Sequence, residues 1–180
     1  MRRRGNLILT MLKKFLILLA LTFGIRMGVQ GQALEPAYDK KLKSLYRFSV
    51  PVVEAKELKE AMDKGQKIQI LDTRQPSEYE VSHLPNARFV NYDKFTDADV
   101  EGLDKDAPVV VYCTVGYRSE RIGEKLQKLG FTNVLNLYGG IFEWVNQGNG
   151  VINQSGQNTK DVHTYNKNWA KWLSKGNKVN

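Results

Sequence analysis

The sequence predicts an α/β domain of three layers, with a central, mostly parallel sheet flanked by helices. Three observations carry that prediction. Pro108-Val-Val-Val-Tyr-Cys113 is a continuous β-branched run, the pattern of a parallel strand buried on both faces. Ser119 to Leu129 places Ile122, Leu126 and Leu129 at helical spacing and stops at Gly130. Strand-like segments at 68–72 and 134–137 alternate with such helices, which implies crossover connections and a layered domain.

Taken in order, residues 1–31 read as a secretory signal. Arg2, Arg3, Arg4, Lys13, Lys14 and Arg26 are basic, and no acid occurs among them. The uncharged run Phe15 to Ile25 is shorter than the roughly 20 apolar residues a membrane span needs. Val29-Gln-Gly31 supplies small residues at a cleavage position, so the mature chain is expected to begin near Gln32. Met11 is an alternative start, and an uncleaved anchor is the alternative fate of the segment. The expected destination is a periplasm or the outside of the cell.

Residues 32–49 form a helical extension: Pro36 opens a stretch in which Tyr38, Leu42 and Leu45 share a face. The domain proper is expected over 50–148. It opens with an extended Val50–Val53 and a helix from Ala55 to Lys64 closed by Gly65. Ile68–Asp72 is a strand, Pro76–Glu80 a short helix begun by proline, and Ala87–Val90 a further strand. The polar stretch Asn146 to Lys160 reads as a surface loop. In the tail, within 149–180, Tyr165, Trp169 and Trp172 fall at helical spacing, an amphipathic stripe expected to dock on its own domain.

Composition narrows the function. With 42% hydrophobic and 26% charged residues in 180, the chain is neither collagen-like, wholly disordered nor a polytopic membrane protein. The formal charge of +8 lies mostly in the signal; without its six basic residues, 21 Lys plus Arg face 19 acids. That balance leaves no footprint for nucleic acid. Membrane contact is expected only through the export signal. The single cysteine, Cys113, excludes an intrachain disulfide and a metal site of several thiolates.

Cys113-Thr-Val-Gly-Tyr-Arg-Ser119 carries the chemistry. A cysteine at the C-terminal end of a central strand faces the crevice where open α/β sheets bind ligands. Gly116 eases the turn into the following helix. Loop amides, the helix N-terminus and Arg118 favour a negative charge at the loop's centre, and a thiolate held there is a nucleophile. Ser119 is placed to cap the helix or to donate to a bound anion. The alternative is a cysteine serving as a small buried hydrophobe. Arg74, after the strand at 68–72, is a candidate anion ligand or a structural partner of Asp72. His83 reads as structural, His163 as exposed and Trp144 as core.

Four residues separate Cys113 from Arg118, too few to wrap a phosphate as cysteine phosphatases do. With Leu71-Asp-Thr-Arg74, Glu78-Tyr79, Ser82-His-Leu-Pro-Asn-Ala87 and Leu137-Tyr-Gly-Gly-Ile-Phe-Glu-Trp144, the sequence resembles a single-domain rhodanese, a sulfurtransferase family. Ser82 and Asn86 stand where that family often has glycine. The resemblance implies ping-pong transfer through a Cys113 persulfide, from a small anionic donor such as thiosulfate to a thiol or cyanide-like acceptor. It implies catalytic roles for Cys113 and Arg118, with Thr114, Val115, Gly116, Tyr117, Ser119 and Arg74 around the substrate. No cofactor and no metal are implied. The rivals are a non-catalytic sulfur carrier or binding module, a single-cysteine redox sensor, and a small arsenate or phosphate enzyme.

Overall fold

The computed structural model describes residues 31–180; the expected secretory signal, but for Gly31, lies outside them. The elements run α1 (Pro36–Leu45), β1 (Val52–Val53), α2 (Ala55–Asp63), β2 (Gln69–Asp72), α3 (Pro76–Val81), β3 (Ala87–Phe89) and a 3-10 turn at Asp97–Val100. They continue with β4 (Val109–Tyr112), α4 (Tyr117–Lys128), β5 (Val134–Leu137) and α5 (Gly140–Asn146). The tail adds β6 (Val151–Ile152), β7 (Asn158–Thr159), β8 (Asp161–His163), α6 (Lys167–Ala170) and β9 (Asn177–Val179).

Five strands form one parallel sheet in the order β1-β5-β4-β2-β3. The β-branched run of β4 is central and wholly buried, as a strand covered on both faces must be. Alternation sorts its side chains. Val110 and Tyr112 enter a core shared with Tyr38, Leu42, Leu58 and Trp144, whereas Val109 and Val111 join Ile122, Leu126 and Val134 under α4. The chain leaves β2 toward β3 and leaves β4 toward β5, so successive connections diverge between β2 and β4. The carboxyl ends of those strands therefore border the crevice where such sheets bind ligands.

Two expectations for the tail need correction. The polar stretch 146–160 is no simple loop: β6 and β7 pair antiparallel, and Ile152 bridges to His83. The aromatic stripe is not one helix either. Tyr165 sits at φ +62° before α6, a single turn capped by Asn166, whose side chain accepts from Asn168 and Trp169. Sequence spacing could not foresee β8 pairing in parallel with β9 around that turn. Docking itself holds, because Trp169 and Trp172 pack on the core and Trp172 stacks on Tyr38 at 5.4 Å. Trp144 is core, with its indole N–H donating to Gly150. His83 is buried against Tyr79, and His163 is half-buried in β8 rather than exposed.

Candidate active site

Cys113 follows the last residue of β4, so the sheet itself fixes its position at the crevice. The chain then turns through Gly116 at φ +92° into α4. A side chain at Gly116 is doubly excluded, because an added Cβ would lie 1.7 Å from the Tyr46 hydroxyl. Its neighbour across the loop, Gly140, is as constrained: a Cβ there would meet the Cys113 carbonyl oxygen at 2.3 Å.

Four successive loop carbonyls are held from outside. Ile141 N–H donates to Cys113 O at 2.9 Å and Phe142 N–H to Thr114 O at 3.3 Å. The Tyr46 hydroxyl donates to Val115 O at 2.7 Å, and Asn136 Nδ2 to Gly116 O at 2.9 Å. All described peptide bonds are trans, so each N–H points opposite to the preceding C=O. Fixing these carbonyls outward thus turns the amides of Thr114, Val115, Gly116 and Tyr117 inward. Gly116 N–H donates to Cys113 Sγ at 3.2 Å, and the N-terminus of twelve-residue α4 adds its partial positive charge.

Above the sulfur lies a cavity of about 410 Å³ whose lining includes Cys113, Thr114, Val115, Tyr117 and Arg118. The Cys113 residue as a whole is only 1% exposed, so what reaches it comes through this cavity. Arg118 forks onto the buried Glu78 carboxylate, Nη1 to Oε2 and Nη2 to Oε1 each at 2.7 Å. Nη2 also reaches Thr114 Oγ1 at 2.8 Å, and that hydroxyl donates to Glu78 Oε1 at 2.6 Å. Burial alone disfavours the guanidinium charge, but the Glu78 hydrogen bond and the nearby Cys113 and Glu78 charges outweigh it and raise its pKa. Burial likewise pushes the Glu78 carboxyl up, yet Arg118 and Thr114 hold it below its ordinary value.

The structure brings Cys113, Thr114, Val115, Tyr117 and Arg118 to one cavity and sets Gly116 as its hinge. Two expected substrate ligands fall elsewhere. Ser119 is buried, with its hydroxyl donating to Asn136 Oδ1 at 2.7 Å; it braces the loop, and Gly116 occupies the helix cap. Arg74 is wholly buried: Nε and Nη2 grip Asp72, and Nη2 donates to Ser82 O. Asp72 also accepts from the Tyr112 hydroxyl at 2.7 Å, so this pair ties β2 to β4; Arg74 Nη1 is buried without a hydrogen-bond partner, and Arg74 does not line the Cys113 cavity. Asn86 adopts φ +63°, the conformation that glycine takes most readily and asparagine tolerates next best.

The sequence reading assigned no role to Glu78, Tyr46 or the wall formed by Tyr165 and Trp169. Glu78 offered one signal, its place three residues after Gln75 in a capping box. Tyr46 and Tyr165 lie too far along the chain from the loop for any local pattern to join them.

A family model described as "Rhodanese-like domain" matches residues 54–147. Thiosulfate sulfurtransferase GlpE of Coxiella burnetii is 36% identical over 81 residues, 45% of this chain and 75% of that protein. The "Probable adenylyltransferase/sulfurtransferase MoeZ" of Mycobacterium tuberculosis is 30% identical over 93 residues, 51% of this chain; the match spans about a quarter (24%) of MoeZ. Among solved structures, the BH2092 protein of Bacillus halodurans superposes with a TM-score of 0.55 at 26% identity, over 67% of this chain and 87% of that one. The rhodanese-like domain of Alr3790 from Anabaena gives 0.53 at 26% identity, over 57% and 79%. With the parallel sheet, the cysteine loop and the matched segment in agreement, the chain belongs to the rhodanese-like family.

Proposed function

We propose that this protein is an exported sulfurtransferase that carries sulfane sulfur on Cys113, taking it from a small anionic donor such as thiosulfate. The Cys113 thiolate attacks the outer sulfur of thiosulfate; the S–S bond to the sulfite group breaks, and sulfite leaves with the electron pair. The Cys113 persulfide then gives its outer sulfur to a thiophilic acceptor, and Cys113 departs as thiolate. The single observation that carries the proposal is Gly116 N–H bonded to Sγ, in a loop whose tethered carbonyls turn the neighbouring amides the same way. These amides offer hydrogen bonds to an anionic donor and to the terminal sulfur without rearranging. Arg118 contributes through a pair already held by Glu78, so it shapes the field and walls the cavity instead of clamping the donor alone. Export follows from the basic and apolar pattern of residues 1–31.

That commitment of Arg118 also favours a second reading, in which Cys113 stores sulfur for a partner without rapid turnover. Intact-mass measurement after thiosulfate treatment tests both. One added sulfur, about 32 Da, should appear, be removed by cyanide, and be absent in Cys113→Ala. Loading without catalytic thiocyanate production selects the carrier reading, and an unmodified protein rejects both.

A further inference from the structure

The sulfurtransferase reading leaves the acceptor open, and on that reading we propose that the flanks of the family-matched region build an acceptor site for an apolar, uncharged organic thiol. The family model ends at residue 147 and begins at 54, yet Leu45, Tyr165 and Trp169 line the Cys113 cavity from outside those bounds. At about 410 Å³ the cavity falls within the range of drug-sized ligand sites. Cyanide or thiosulfate fills a small part of it. Tyr92 and Tyr117 extend the apolar wall toward the same sulfur.

Charge selects against an anionic acceptor. Apart from the reactive sulfur itself, Arg118 and Asp93 are the lining side chains that carry full charges. Both terminal nitrogens of Arg118 are engaged by Glu78 and Thr114. Asp93 accepts a hydrogen bond from Gln75 and forms no ion pair among the described residues. Away from the loop amides that would hold a small anionic donor, the outer cavity therefore presents a carboxylate at one edge and a guanidinium already paired with Glu78. Lys41 lies over the Trp169 ring, 5.7 Å from its centroid, but does not line the cavity.

Tyr165 adds an independent observation. It holds φ +62°, uncommon for a bulky residue, while its ring is set 5.2 Å from the Arg118 guanidinium carbon and half its surface is open. Backbone strain of this kind collects at binding sites, where it fixes a side chain that packing alone would leave free. The transfer itself is balanced. The acceptor thiol gives its proton to solvent, and its sulfur attacks the outer sulfur of the Cys113 persulfide. The Cys113–sulfur bond breaks, Cys113 leaves with the pair, and the acceptor departs as a persulfide.

The test loads the protein with thiosulfate and counts bound sulfur by intact mass. Discharge in a single turnover is then timed with benzyl mercaptan, 2-mercaptoethanol or 3-mercaptopropionate at equal thiolate concentrations. Benzyl mercaptan should react at least about tenfold faster than 2-mercaptoethanol, as burying roughly 60 Å² of apolar surface supplies. The carboxylate-bearing thiol should be the slowest. Tyr165→Gly removes the ring and relieves the positive φ, so it should fold, and it should bring the two neutral thiols within about threefold. Equal rates for those thiols in the loaded wild-type protein would overturn the inference, as would an unchanged preference in both Tyr165→Gly and Trp169→Ala. A wild-type protein that never loads instead overturns the persulfide reading, and this inference with it.

Discussion

Replacing Glu78 with glutamine probes how the loop is held. The carboxylate binds both terminal nitrogens of Arg118, accepts from Thr114, and takes the Gln75 amide at 3.1 Å. Breaking a buried ion pair from one side costs about 3–5 kcal/mol. Glutamine keeps one acceptor oxygen, and the Arg118 side chain retains 14% exposure, so Glu78→Gln should lose about 2–3 kcal/mol. For a domain of this size that corresponds to a Tm drop of about 5–10 °C. Arg118 would then lose its fixed orientation beside the sulfur, and kcat/KM for thiosulfate should fall about 10- to 100-fold. The pH dependence has a definite sign. The Glu78 carboxyl lies below 4.5 in the folded protein, so its stabilisation is complete above that value and is lost as pH falls through the lowered pKa. The Tm gap between wild type and variant should therefore be widest near neutrality and close as acidification carries the pH through the lowered Glu78 pKa. Thermal unfolding across pH, with steady-state thiosulfate kinetics, reads both effects. An unchanged Tm with a lower KM for thiosulfate would refute the reasoning, because Glu78 would then compete for Arg118 instead of positioning it.

Asp72→Asn should unfold the domain or lower its stability by about 3–5 kcal/mol, since it leaves Arg74 charged and buried; denaturant titration checks this. Whatever fraction folds should keep its thiosulfate KM, because Arg74 does not reach the cavity. Gly116→Ala forces a Cβ into the Tyr46 hydroxyl and strains a φ of +92°, so sulfur loading should disappear in an intact-mass assay. Tyr46→Phe removes the donor to Val115 O and the acceptor of Gly139 N–H, at a loss of about 1–3 kcal/mol. With the Val115 carbonyl released, the rate of persulfide formation in stopped-flow measurements should drop at least about tenfold.

The scaffold was legible where burial leaves a repeating trace. The Val109–Val111 run announced the central strand, and Ile122 with Leu126 announced the helix over it. Gly116 was readable because only a positive φ permits the turn from Cys113 into α4. What escaped depends on contacts distant in sequence. Glu78 meets Arg118 across 40 residues, and Tyr46 reaches the loop across 69. No periodicity encodes such pairs. Ser119 adjoins the loop and Arg74 follows β2, so the local sequence leaves Ser119 open as a cap or an anion donor and Arg74 as an anion ligand or a partner of Asp72. Asp72, two residues before Arg74, takes the guanidinium, and Asn136, supplied by β5, takes the Ser119 hydroxyl. The tail misled for a related reason: Tyr165, Trp169 and Trp172 have helical spacing, but pairing of β8 with β9 restricts the helix to one turn.

A crystal structure of the protein soaked in thiosulfate bears most directly on the row of amides around Cys113. The account predicts one extra sulfur bonded to Sγ, its outer atom within hydrogen-bonding distance of two or more of the Thr114–Arg118 amides. A bare Sγ in a protein that mass measurement shows to be loaded, or an outer sulfur directed away from those amides, would contradict it.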